Sequence, residues 1–185
     1  MPADLRSIFK AYDVRGVYPD AFDEDVASRV GRAFASWVES DRIVMGRDCR
    51  LSSPSLAAAF ADGAMSMGVG IADLGLATTD LLYFASGRLS LPGAMFTASH
   101  NPPHYNGLKL CRPGAAPVGE ESGLQEIREL AERGVDPSGG STGSREEIDL
   151  LEDYLEHALS FADLNSFSPL VVAADAANGM AGLVL

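Results

Sequence analysis

Apolar positions along the chain follow two alternating rhythms. Val26, Val30, Phe34, Trp37 and Val38 recur at helical spacing and make one apolar stripe. The acidic run Asp23-Glu24-Asp25 ahead of them suits a helix N-terminus, whose partial positive charge attracts carboxylates. Ile43-Val44-Met45, ending at Gly46, is the short unbroken apolar run of a strand buried on both faces. Ser53-Pro54 predicts an N-cap followed by proline at the first helical position, where the missing N–H has no helical partner to lose. An Ala-rich run from Leu56 to Met67 continues that helix up to Gly68. Val69 to Leu74, Ala94 to Thr97 and Leu108 to Cys111 predict further strands, with a short helix from Thr79-Asp80 through Ala85.

Leu124, Ile127, Leu130 and Ala131 share one face of the next helix, which ends at Gly134. From Gly134 to Ser144 the chain is rich in Gly and Ser and poor in apolar residues, which predicts a mobile linker. A helix carrying Ile148, Leu151, Tyr154, Leu155 and Ala158 follows, then Pro169 and a dense strand from Leu170 to Ala174. That strand runs into Asp175-Ala176-Ala177-Asn178-Gly179, which ends in an Asn-Gly turn. Strands alternating with helices predict an α/β fold, a mixed, mostly parallel sheet with helices on both faces. The expected division is one domain over residues 1–134, a linker over 135–144, and the start of a second domain over 145–185. A βα unit opened at Leu170 needs roughly ten more residues to cover its strand, so the expectation is of a truncated second domain.

Composition narrows the function. Fourteen basic against 26 acidic residues give a net charge of −12, which argues against a nonspecific nucleic-acid binder and against docking on an anionic membrane. An anionic substrate would need a positive pocket built locally against that field. Two cysteines, Cys49 and Cys111, make neither a disulfide framework nor a CxxC motif. They are expected as free thiols in a reducing compartment, with one bridge between them left open. Charges at Asp4, Arg6, Lys10, Asp13 and Arg15 interrupt any signal-peptide apolar core, and no apolar run is long enough to span a membrane. A soluble cytoplasmic protein is the expectation.

One segment stands apart, Thr97-Ala98-Ser99-His100-Asn101-Pro102-Pro103-His104-Tyr105-Asn106-Gly107-Leu108-Lys109. Two prolines and an Asn-Gly turn predict a rigid exposed loop at the end of a strand, where open α/β sheets bind ligands. Ser99 there is a candidate nucleophile or carrier of a covalent group; an arbitrary loop serine more often caps backbone amides. His100 and His104 have the spacing of paired ligands on a helix, but Pro102-Pro103 between them forbids the helix, so a histidine metal site is rejected. Ser99 also lacks the G-x-S-x-G elbow of α/β-hydrolases.

The segment Thr97 to Leu110 resembles the phosphoserine loop of the α-D-phosphohexomutases. Ile8-Phe9-Lys10-Ala11-Tyr12-Asp13-Val14-Arg15-Gly16-Val17 is similar to that family's N-terminal signature, and Gly46-Arg47-Asp48-Cys49-Arg50-Leu51-Ser52-Ser53 to the segment after its second strand. Asp175 to Gly182 resembles the strand exit that opens its second domain. The pattern is most like bacterial phosphomannomutase/phosphoglucomutase. The resemblance implies an intramolecular phosphotransferase interconverting hexose 1-phosphate and 6-phosphate, of mannose or glucose, through a bisphosphorylated sugar. Ser99 is then the phosphoryl carrier and a Mg²⁺ ligand, with the remaining ligands expected in a missing second-domain segment. Lys109 holds phosphate charge and helps move the substrate proton, and Arg15 and Tyr12 lie near the transferring phosphoryl. His100 and Asn101 flank and tune the serine, and Arg47 and Asp48 brace its loop. For Arg15 a surface ion pair with Asp13 is the plainer alternative. The family's acidic metal loop, its sugar-specificity loop and its C-terminal phosphate loop do not occur in the sequence, so turnover by this chain alone is not expected. Two alternatives are carried: phosphoglucosamine mutase, and a noncatalytic sugar-phosphate-binding module.

Overall fold

The computed structural model describes residues 4–137, 140–163, 166 and 168–185. Its strands are β1 (Val14–Val17), β2 (Arg42–Arg47), β3 (Gly70–Leu76), β4 (Gly93–Phe96), β5 (Tyr105–Arg112), β6 (Ala116–Pro117) and β7 (Arg145–Glu147). Its helices are α1 (Glu24–Val38), α2 (Ser53–Ser66), α3 (Thr79–Leu89), α4 (Leu124–Arg133), α5 (Leu151–Leu159) and the short α6 (Ala181–Val184). The strands join in one sheet of order β1-β5-β4-β2-β3-β7, with β6 on β5. β2 runs parallel to β3 and β4, and β7 parallel to β3, while β5 is antiparallel to each of its partners. Among the described residues β5 therefore runs against the other strands, and the sheet is mixed but mostly parallel.

Side-chain alternation splits the core between two faces. Ile43, Met45, Ile71, Ala94, Phe96, Leu108 and Leu110 point into one cluster with α1, α2 and α4. Val44, Ala72 and Met95 point the other way, against Leu82 and Ala85 of α3. Phe34, Phe60 and Phe96 pack in series through the larger cluster, tilted and then edge to face, with centroids 6.3 and 5.6 Å apart. Each is fully buried, worth about 1.5–3 kcal/mol of transfer free energy.

Local chemistry sets the helix ends. Asp23 accepts from the Val26 amide at 2.9 Å and Thr78 from the Leu81 amide at 3.0 Å, each satisfying an orphan N–H of a first turn. The helix at Ser53-Pro54 begins one residue earlier than expected, with Ser52 at the cap position. The Ser53 hydroxyl is drawn instead to Asp48 Oδ1 at 2.6 Å. The Asn106-Gly107 pair is not a turn: both residues lie in β5, opposite Gly16 and Arg15 of β1. Gly107 serves close backbone approach, since a Cβ there would stand 2.6 Å from the Val14 carbonyl oxygen and 2.8 Å from that of Thr97.

After α4 the chain returns to the sheet, where β7 pairs with β3 and the Ile148 amide donates to the Asp73 carbonyl at 2.9 Å. Arg145 also forms an ion pair with the buried Asp73, and α5 packs Tyr154 and His157 on Phe84 of α3. Ser138 and Gly139 of the expected mobile linker lie outside the described residues. The strand expected from Leu170 to Ala174 does not form; Leu170, Val171 and Val172 stand exposed. The sheet edge beside β3 is already occupied by β7, and a strand needs a partner ladder to exist.

Candidate functional site

The parallel strands all release their chain at one end of the sheet. β2 leads into α2 on one face and β3 into α3 on the other, so a crevice opens between the diverging connections, where doubly wound folds bind ligands. A cavity of about 700 Å³ lies there. Its walls come from residues just after β2 (Asp48, Cys49, Arg50), after β3 (Ala77 to Asp80) and after β4 (Thr97, Ser99, His100, Asn101). Residues 177–181 close one side.

Ser99 is exposed in this cavity and sits at φ 53°, a left-handed conformation that non-glycine residues seldom adopt. Its amide donates to Thr97 Oγ1 at 2.9 Å, and the Asn101 amide donates to the Ala98 carbonyl at 3.0 Å. His100 Nδ1 stands 3.4 Å from Ser99 Oγ. The result is a tight turn that lifts the serine hydroxyl off the sheet end.

The cationic residues arrive from the neighbouring strands. Arg15 of β1 lies opposite Gly107, two positions from Lys109 on β5, so both side chains reach the same carboxylate. Asp13 Oδ2 is 2.6 Å from Arg15 Nη2 and 3.4 Å from Lys109 Nζ. Arg15 Nη1 donates to Asn101 Oδ1 at 2.6 Å. Asn101 thus belongs both to the cavity wall and to the cationic cluster, whereas Arg15 and Lys109 stand behind the wall. The ion pair with Asp13, the plainer reading of Arg15, does form, but it is half-buried and shared with Lys109. Two cations on one carboxylate leave a net +1, less than the positive pocket the sequence suggests. Tyr12 is 80 % exposed and lies outside the cavity wall.

Arg50 is the feature that sequence reasoning passed over. Its Nη1 donates to the carbonyls of Pro102 at 2.9 Å and Tyr105 at 3.0 Å, and its Nη2 to those of Ser99 at 2.8 Å and Asn101 at 2.7 Å. Its Nε lies 3.2 Å from Asp48 Oδ2. Asp48 braces the serine loop through this arginine, while Arg47 meets the sheet through its backbone carbonyl, which accepts from the Ala77 amide. The signal was present in the sequence as the second arginine of Gly46-Arg47-Asp48-Cys49-Arg50.

Among the described residues no three His, Cys, Asp or Glu side chains gather as a metal cluster. A phosphate on Ser99 would give Mg²⁺ one oxygen donor, where the ion wants near-octahedral coordination. Asp48, the nearest lining carboxylate in sequence to the clamp, already serves Arg50 and Ser53. This chain's residues do not by themselves complete a Mg²⁺ site.

Comparison with known proteins follows the same residues. The family model "Phosphoglucomutase/phosphomannomutase, alpha/beta/alpha domain I" matches residues 6–136. A phosphomannomutase of Salmonella montevideo is 40% identical over 180 residues, covering 96% of this chain and 40% of the relative. Phosphohexose mutases of Xanthomonas campestris pv. campestris (strain B100) are 40% identical over 178 residues, with the same coverage on both sides. A crystal structure of a phosphoglucomutase/phosphomannomutase family protein from Burkholderia thailandensis superposes with a TM-score of 0.74 at 37% identity, covering 83% of this chain and 35% of that one. The chain spans about 40% of the length of the curated relatives it matches.

Proposed function

The chain belongs to the phosphoglucomutase/phosphomannomutase family, and from that premise we propose that it is the phosphoryl-carrying part of a phosphohexomutase. Ser99 carries the phosphoryl group, gives it to one hydroxyl of a hexose phosphate and takes back the group from the other end of the sugar. The substrate class is hexose 1-phosphate and 6-phosphate, of mannose or glucose. The observation that carries this reading is the exposed Ser99, held at φ 53° in a cavity at the strand ends, with Asn101 tying its loop to Arg15.

The chemistry suits the geometry. Phosphoryl transfer asks chiefly for positioning and for offsetting charge. A phosphoserine brings about −1.5 to −2 charge at neutral pH, and a phosphorylated sugar a similar amount. The net +1 of Arg15, Lys109 and Asp13 offsets part of the repulsion. Arg15 offers the planar fork that matches phosphate oxygens. Lys109 holds phosphate charge as an ammonium and, once it has shed a proton of its own, helps move the hydroxyl proton of the sugar. His100, beside Ser99 Oγ, and Asn101 tune the serine, and Tyr12 reaches a sugar from the exposed loop ahead of β1. The phosphoserine oxygens would give a Mg²⁺ ion one donor, and such an ion would supply further charge neutralisation. Full turnover also needs the sugar turned end for end, for which this chain's cavity offers one wall. The two cysteines are unpaired, as in a reducing cytoplasm, and no helix among the described residues is long and apolar enough to cross a membrane.

The test is the phosphorylation state of the protein isolated from its own cells. Peptide mapping is expected to find a phosphate on Ser99, and incubation with a hexose 1,6-bisphosphate to raise its occupancy. The Ser99→Ala variant should carry none. Phosphate absent from Ser99 before and after incubation contradicts the proposal.

A further inference from the structure

The Arg50 guanidinium donates through Nη1 and Nη2 to four backbone carbonyls, and its Nε lies 3.2 Å from Asp48 Oδ2. Its charge is matched by Asp48, whose other oxygen accepts from the Ser53 hydroxyl at 2.6 Å and from the Arg50 amide at 3.0 Å. Behind them the buried Asn106 donates to Ser52 Oγ at 2.8 Å and Ser53 Oγ at 3.0 Å. The arginine is therefore fixed in place by a buried polar chain that begins on β5 and ends on the loop after β2.

Its four carbonyl partners are those of Ser99, Asn101, Pro102 and Tyr105, the whole span of the serine loop. Ser99 is held from both sides, its N–H by Thr97 and its C=O by Arg50, in a backbone conformation it would otherwise leave. Asn101 is held by Arg50 at its carbonyl and by Arg15 at its side chain. One guanidinium thus fixes the distance between the serine hydroxyl and the cationic cluster. Resting on the mutase reading, we propose that Arg50 is the positioning residue of the phosphoryl-carrier loop: it acts through the backbone of Ser99 and Asn101 and touches no substrate. Lysine cannot replace it, since an ammonium has three donors and no fork.

Two readouts test this in Arg50→Lys and Arg50→Met. The first is amide hydrogen exchange. The amides of Ser99, Asn101 and Tyr105, each hydrogen-bonded within the loop, should exchange about tenfold faster or more. Those of Val44 and Gly70, bonded to the Pro92 and Asp41 carbonyls, should keep their rates. Unchanged loop amides, or core amides that rise in step with them, overturn the proposal, the latter because a general loss of stability explains it. The second readout, in the full-length mutase that carries this chain, is discharge of phosphate from Ser99 to a hexose 6-phosphate. A loop displaced by about 1 Å should cut the maximal rate about a hundredfold, while the half-saturating sugar concentration moves less than about threefold. Equal maximal rates in wild type and variants overturn the positioning role even if the loop loosens. Wild type that never carries phosphate on Ser99 refutes the mutase reading instead, and hydrogen exchange alone then decides the clamp.

Discussion

Asp13, Arg50 and Cys111 show how single residues shape this end of the sheet. Asp13 sits under Arg15 and Lys109 and removes half of the charge those cations bring. Cys111 is buried on β5 while Cys49 is exposed in the cavity wall. Burial pushes the Cys111 thiol above its ordinary 9.0, against a hydrogen bond with Ser86 that pulls it down. Tyr83 is pushed above 10.0, first by burial and then by the charges of Cys111, Asp80 and Asp13. For a group raised in this way the fold favours the neutral form, so its stabilisation is whole below the unfolded value and lost as pH rises past it. The urea midpoint should therefore fall from about pH 9 upward. In Cys111→Ala the fall should begin nearer pH 10, where Tyr83 takes over. An identical fall in both proteins contradicts the assignment. Ser99 and Lys109 were legible as candidates because one long segment carries them, and Arg15 because a second, separate segment does. Arg50 and Asp13 were not weighed as site residues, because beyond the pairs with Asp48 and Arg15 two residues off, their other partners lie 49 to 55 and 96 residues away.

Elements followed their pattern wherever tertiary partners agreed with it. The stripes of α1 and α4 and the apolar runs of β2 to β5 were visible because burial on a face leaves a period in the sequence. β7 reads Arg-Glu-Glu, exposed throughout, and exists through its backbone ladder to β3, which no side-chain pattern reveals. The run Leu170 to Ala174 has the pattern but no ladder. The crossing of α1 on α2 depends on small residues: a Cβ on Gly31 would stand 2.2 Å from the Phe60 carbonyl oxygen. Gly31→Ala must spread the two helices and should cost about 1–3 kcal/mol of stability by urea denaturation. A variant as stable as wild type would show that the helices have room to part.

At the scale of the molecule, an acidic chain of net −12 brings Arg15, Arg50 and Lys109 to one end of the sheet. The fold class was readable from alternation alone; the cavity was not, because it arises where loops after three different strands converge. The account stands on Ser99 as a two-way carrier. The direct measurement is a chase in the full-length mutase that carries this chain: protein bearing labelled phosphate on Ser99 is mixed with unlabelled hexose 6-phosphate and Mg²⁺, and the label is followed. The account expects it to leave the serine and appear in a bisphosphorylated hexose. Label that stays on Ser99, or that leaves only as inorganic phosphate, contradicts it.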